Sequence, residues 1–238
     1  MEDRLGAVER RTVSGIACTS EERSLFDEMR RAVSLREAVV AMDMAAAAEL
    51  TSIARMRSYL TTRSGWLGVP RARAALDLAD ENSRSPNETR MRLVWQLDAG
   101  YPKPLVNQPV WDQQGRLLGY ADILDPVAGV VGEFDGADHR GARRHSADVD
   151  REAGFRSSGL EFFRVTGPDL QVRSRVVARM ASTRARAGWL VPGARQWSVV
   201  PPPTWAPAMS LDEILDERDL LRELHTQWER ERDPGLNS

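Results

Sequence analysis

The stretch from Gly119 to Gly136 constrains the chain most. It carries two apolar runs folded back through Asp125-Pro126 to Gly129, and acids interrupt both of them. Strand side chains alternate faces, so the spacing predicts Glu133 and Asp135 on one face and Phe134 on the other. An antiparallel return through so short a turn sets Asp122 across from residues 131–133, close to Glu133. Three carboxylates then converge in the middle of a sheet. Like charges in a poorly solvated site repel, so such a cluster either holds protons or needs a cation, and a hard divalent ion with oxygen ligands meets that need. The plainer alternative is that Glu133 to Gly136 ends a strand in a polar turn.

Composition narrows the classes. The 238 residues are 42% hydrophobic and 29% charged, an ordinary balance for a packed core, and no apolar run is long enough to span a bilayer. The N-terminus has no signal-peptide pattern, which predicts a cytoplasmic protein without membrane contact. One cysteine, Cys18, and three histidines exclude a disulfide framework or a structural zinc site within one chain. Lys103 is the single lysine, and every other basic side chain is arginine. Arginine suits bidentate phosphate contacts, although a GC-rich genome gives the same bias.

Along the chain, residues 11–17 read as a short strand. Ser20, Ser34 and Thr51 then stand at or near the starts of helices predicted from about 20, over 34–48 and over 51–60, with a further helix over 71–79. No function is legible in this N-terminal helical lobe. Ser85-Pro86 opens a helix in which Met91, Val94 and Trp95 form the apolar stripe and Glu88 lies at its edge. For Glu88 alone, stabilising the first turn is the simpler role. Strands over 105–111, 116–124 and 129–135 follow, then a helix over about 145–158. In that helix Arg151 shares a stripe with Phe155, so it faces the sheet and needs an acid partner, either Asp148 or the carboxylate cluster. A strand over 160–165 and one helix from Pro168 to about Arg186 complete the series. Pro201 to Pro203 read as a stiff connector before a charged helix over 210–231.

A helix bearing an acid, three strands bearing central acids, then helix and strand, is similar to the core of restriction-endonuclease-like nucleases. The chain resembles actinobacterial and phage proteins related to AbiEi-family antitoxins, whose C-terminal half has the very-short-patch-repair, PD-(D/E)xK endonuclease fold. The residues carrying the resemblance are Ser85-Pro86-Asn87-Glu88 with Arg92, Asp122, Glu133-Phe134-Asp135-Gly136 with His139, Asp148 with Arg151, Gly159, and Phe163 to Thr166 with Asp169-Leu170. The run from Asp122 to Leu170 carries it most specifically. The helix-turn-helix lobe that begins many such antitoxins has no evident counterpart.

Element order and the resemblance together predict an α/β fold with a restriction-endonuclease-like αβββαβ core and a mixed four-strand sheet over 85–187, while spacing and composition along the chain predict an N-terminal helical lobe over 1–84, a Pro-rich connector over 188–209 and a C-terminal helix and tail over 210–238. The resemblance implies Mg²⁺ or Mn²⁺ held by Asp122, Glu133 and Asp135, with Glu88 completing or orienting the shell. It makes Glu88, Asp122, Glu133, Asp135 and His139 the catalytic candidates. Asp135 stands where the motif normally ends in lysine, as a second metal ligand, a base, or the mark of lost catalysis. Arg143, Arg144, Arg151 and Arg164 are the phosphate or DNA contacts, with a solvated arginine face as the plainer alternative. The implied activity is metal-dependent DNA hydrolysis in phage defence or a toxin–antitoxin setting. The alternative is an inactive antitoxin or regulator that keeps the fold for binding DNA or a partner protein. A toxin or defence component is the expected protein partner, through the N-terminal lobe or the C-terminal helix.

Overall fold

The computed structural model describes residues 5–136 and 142–232. The chain divides into two compact units, one formed by residues 1–81 with 207–238 and the other by residues 82–206. No helix among the described residues is long and apolar enough to cross a membrane.

The first unit opens with β1 (Arg10–Val13) and β2 (Ile16–Thr19), paired antiparallel. A single strand was expected here. Ser14 and Gly15 both take positive φ, 51° and 80°, which reverses the chain in a two-residue turn and makes a hairpin of it. Helices α1 (Glu21–Arg31), α2 (Leu35–Ala47) and α3 (Ile53–Thr61) each begin behind a serine, Ser20, Ser34 and Ser52, whose hydroxyl accepts the backbone N–H three residues on. Helix α4 (Val69–Leu78) and the long α9 (Leu211–Arg232) complete the unit. Phe26, Met29, Val39, Met42, Met56, Leu60 and Leu76 fill its core, and Leu215 of α9 is fully buried. Arg55 fixes α9 further by bonding Asp216 at 2.6 Å and Asp219 at 2.7 Å.

An ionic knot lies within this unit. Glu9, 3% exposed, accepts from Tyr59 Oη, from Arg63 at 2.8 Å and from Arg23 at 3.5 Å, and Arg23 also bonds Asp27 at 2.9 Å. Burial works to raise the Glu9 carboxyl, but the hydrogen bonds from Tyr59, Arg63 and Gly6 prevail and lower it to about 2. A carboxylate depressed in this way contributes stability at neutral pH that is lost as pH falls from about 4.5 toward 2. Glu9→Gln should therefore cost about 3 kcal/mol at pH 7, since it removes the charged acceptor shared by Tyr59, Arg63 and Arg23 and leaves Asp27 as the remaining acid on Arg23. The variant should also show a shallower loss of stability below pH 4.5 in urea unfolding followed by circular dichroism.

The second unit is three-layered. Helix α5 (Pro86–Leu93), capped by Ser85, runs into one π-helical turn, Val94–Asp98. Strands β3 (Leu105–Asp112), β4 (Leu117–Asp125) and β5 (Val130–Asp135) form an antiparallel meander. Helix α6 (Ala142–Ser157) crosses over so that β6 (Glu161–Thr166) returns parallel to β5. Met91, Val94, Trp95, Ile123, Val130, Phe163 and Val165 form the core on one face. Val110, Leu124, Val131, Phe155 and Phe162 form it on the other. Val130 to Glu133 are buried in succession, as a strand covered on both sides requires.

Two expectations are corrected here. The helix expected from Pro168 to Arg186 is broken into α7 (Gly167–Leu170) and α8 (Arg173–Arg186). Asp169 accepts from the backbone N–H of Thr166 at 2.9 Å and from Arg179 of α8 at 2.9 Å, which holds the bend between the two helices. The sheet has five strands in the order β6-β5-β4-β3-β7, not four, because the segment read as a connector supplies β7 (Trp197–Ser198) along β3. Trp197 is 5% exposed, and Trp205 lies edge-on to Trp111 at 5.6 Å, so apolar burial anchors this proline-rich segment to the sheet.

Candidate functional site

The site is built by register. Ile123 pairs with Gly132 and Leu124 with Val131, and one step further along the same ladder stand Asp122 on β4 and Glu133 on β5. The Phe134 N–H donates to Asp122 Oδ2 at 2.7 Å, tying the two strands together at that level. Glu133 is 5% exposed. Its carboxylate is gripped by both arms of Arg151 from α6, with Nε to Oε1 at 2.9 Å and Nη2 to Oε2 at 2.9 Å. That planar fork is the strongest arrangement a carboxylate and a cationic side chain can make. Of the two partners foreseen for Arg151, the strand cluster supplies the one seen here.

Glu88 approaches from α5. Its backbone N–H donates to Ser85 Oγ at 3.2 Å, and its Oε2 accepts the Arg84 N–H at 2.9 Å, so it does serve the helix start. It also acts on Asp122 through its charge. Burial raises the Asp122 carboxyl to about 7, and the negative charge of Glu88 adds to the effect. The Phe134 N–H opposes the rise, Glu133 reinforces it and Arg151 opposes it. A half-buried acid that titrates near neutrality can hold or release a proton at physiological pH.

The structure thus brings Glu88, Asp122, Glu133 and Arg151 into one electrostatic neighbourhood. Asp135, the last residue of β5, is half-buried and pairs with Thr166 of β6. Among the described residues no group of three His, Cys, Asp or Glu side chains is gathered closely enough to hold a metal ion, so Asp122, Glu133 and Asp135 do not form a three-ligand cage. His139 lies outside the described residues. Arg143 and Arg144 belong to α6, with side chains outside the described set. Arg164 bonds Glu152 at 3.2 Å and lies over the Phe162 ring at 5.4 Å, on the α6 side of the sheet.

The sequence reading missed Gly119. A Cβ there would come within 2.6 Å of Arg151 Cδ and 2.8 Å of its Cγ, and φ is +154°. The arginine stem crosses β4 only because this position has no side chain. A glycine inside a strand was the available signal, since it marks close approach of another group. No family model, curated protein or solved structure matches the chain.

The raised acid sets a sign for pH dependence. Asp122 binds its proton more tightly folded than unfolded, so folding stability falls as pH climbs from about 4 through 7 and stays at the lower level above that. Asp122→Asn keeps an oxygen acceptor for the Phe134 N–H and abolishes the charge. The variant should be more stable than the parent at pH 8, by roughly 2–4 kcal/mol, and about equal at pH 4. Urea unfolding across that range checks this, and a variant weaker than the parent at pH 8 would assign Asp122 a purely structural hydrogen-bonding role.

Proposed function

We propose that this chain is a divalent-cation-dependent nuclease-like protein acting on the phosphodiester backbone of DNA, built on a restriction-endonuclease-like core formed by α5, β3, β4, β5, α6 and β6. The observation that supports the reading is that Glu88 from a helix and Glu133 from the next strand both act by charge on the buried Asp122, which is raised to about 7. The donors are all carboxylate oxygens, which suit Mg²⁺ or Mn²⁺, and the mutual repulsion within the group is what a cation would relieve. Asp122 and Glu133 are the residues that would hold the ion.

When bound, such an ion polarises the scissile phosphate and lowers the pKa of an attacking water. The chain's own groups supply the rest. Asp122, raised to about 7 by burial and by Glu88, would be ionised when it holds the ion and act there as a ligand. Glu88 fixes the field at Asp122 from a rigid helix start. Asp135 takes the lysine position of the related motif, so positive charge for the phosphate comes from arginine, with Arg143, Arg144 and Arg164 as candidates. The phage-defence or toxin–antitoxin setting and the protein partner rest on sequence resemblance alone.

The bidentate Arg151–Glu133 pair favours a second reading, in which the fold binds DNA or a partner protein without cutting. Incubation of supercoiled and linear DNA with the protein and Mn²⁺ separates the two. Nicking that disappears in Asp122→Asn and Glu133→Gln is the expected result. Retention of DNA in a gel shift without any cleavage would support the second reading. Mn²⁺ at 100 times its dissociation constant should also stabilise the parent by about 2.7 kcal/mol, and Asp122→Asn should lose most of that gain in thermal unfolding.

A further inference from the structure

We propose that the β1–β2 hairpin and helix α9 of the first unit form a self-association surface whose occupant is a second copy of this chain, each copy's α9 lying in the cleft between hairpin and α9 of the other. The inference is independent of the nuclease reading.

Helix α9 begins on the body and then leaves it. Leu215 is buried and Arg55 holds Asp216 and Asp219, but from Leu220 to Trp228 every residue is exposed. Leu220, Leu221, Leu224 and Trp228 recur at helical spacing along this stretch and are between 50% and 59% exposed. A helix gains most of its stability from packing such a stripe, so the stripe calls for a cover. The hairpin has the same need. A two-stranded ribbon is marginal in water by itself, and Val13 and Ile16, paired at its tip, are 60% and 71% exposed.

The two elements line an open cleft of about 660 Å³, with Arg11 and Val13 on the hairpin side and Arg218, Leu221, Arg222 and His225 on the α9 side. Glu21, which also lines it, pairs with Arg11 at 3.0 Å and lies 3.8 Å from Arg222. The cleft thus carries three arginines against one acid, with an apolar side chain on each wall. The outer side of α9 has the opposite character. Glu217 and Glu223 flank Leu220 and Leu224, both acids are exposed, and neither makes an ion pair among the described residues. An acidic helix bearing leucines is the complement of a basic cleft with apolar walls. This chain carries both halves, and both stay uncovered in the single molecule. Reciprocal exchange about a two-fold axis covers both at once, and because it closes it gives a dimer rather than a filament.

The experiment is sedimentation velocity on the full chain at pH 7.5 over about 1–100 μM, comparing the parent with Val13→Glu, Leu224→Glu and an equimolar mixture of the two. Leu67→Glu, at another exposed leucine of the same unit, is the control. All three positions are exposed, so the fold is retained; circular dichroism checks this, and Ile16→Glu or Leu220→Glu replaces a site variant that fails. The parent should dimerise within this range. Each site variant alone breaks both contacts of the two-fold dimer and should weaken association about 100-fold, whereas the mixture keeps one contact intact and should be only about tenfold weaker than the parent. Leu67→Glu should associate like the parent. A parent that stays monomeric overturns the proposal and leaves the stripe to a different protein. A dimer that either site variant leaves intact, or that Leu67→Glu disrupts as strongly, also overturns it. Site variants that remain monomeric when mixed overturn the reciprocal arrangement of hairpin and helix.

Discussion

Two acids on neighbouring strands, forced toward each other by an antiparallel register and closed in by helices, are the constraint on which the second unit depends. Neither can turn away, because each backbone is held in its ladder. The molecule meets the repulsion by two different means. Glu133 takes Arg151 as a bidentate partner, whereas burial, reinforced by the charge of Glu88, drives Asp122 toward the protonated form. Burial and neighbouring negative charge act together on Asp122, and the same two conditions favour positive charge beside it.

That arrangement explains the placing of the surrounding elements. Helix α6 packs Phe155 into one core and, one turn earlier, sends Arg151 across β4 to β5. Helix α5 packs Met91 into the opposite core and brings Glu88 in from its first turn. Each helix thus contributes an apolar residue for cohesion and a charged residue for the site. The second is fixed by the helical period once the first is buried.

Much of this was legible in the sequence because it follows from local periodicity. The acids of the 119–136 hairpin, the Ser85-Pro86 helix start and the inward stripe of Arg151 all reduce to spacing, and spacing survives folding. What was illegible depends on partners far away in the chain. The break between α7 and α8 is held by Arg179 reaching back to Asp169, and β7 exists because Trp197 finds an apolar slot beside β3; neither has a local signature. Gly119 is intermediate. Its oddity inside a strand was visible, but its reason appears only when the Arg151 stem is laid over it. The convergence of three ligands was over-read, because alternation places Asp135 on the face of Glu133 without bringing it into a cage with Asp122.

The first unit is discontinuous in sequence, with α9 adding Leu215 and the Asp216 and Asp219 contacts to a body made of residues before 82. During synthesis the ribosome therefore releases all of residues 82–206 before the element that finishes the earlier body. The sheet unit can close as soon as it emerges, while the N-terminal helices wait with the α9-binding surface uncovered. Chaperone demand during translation should fall on those early helices, in the interval before α9 appears.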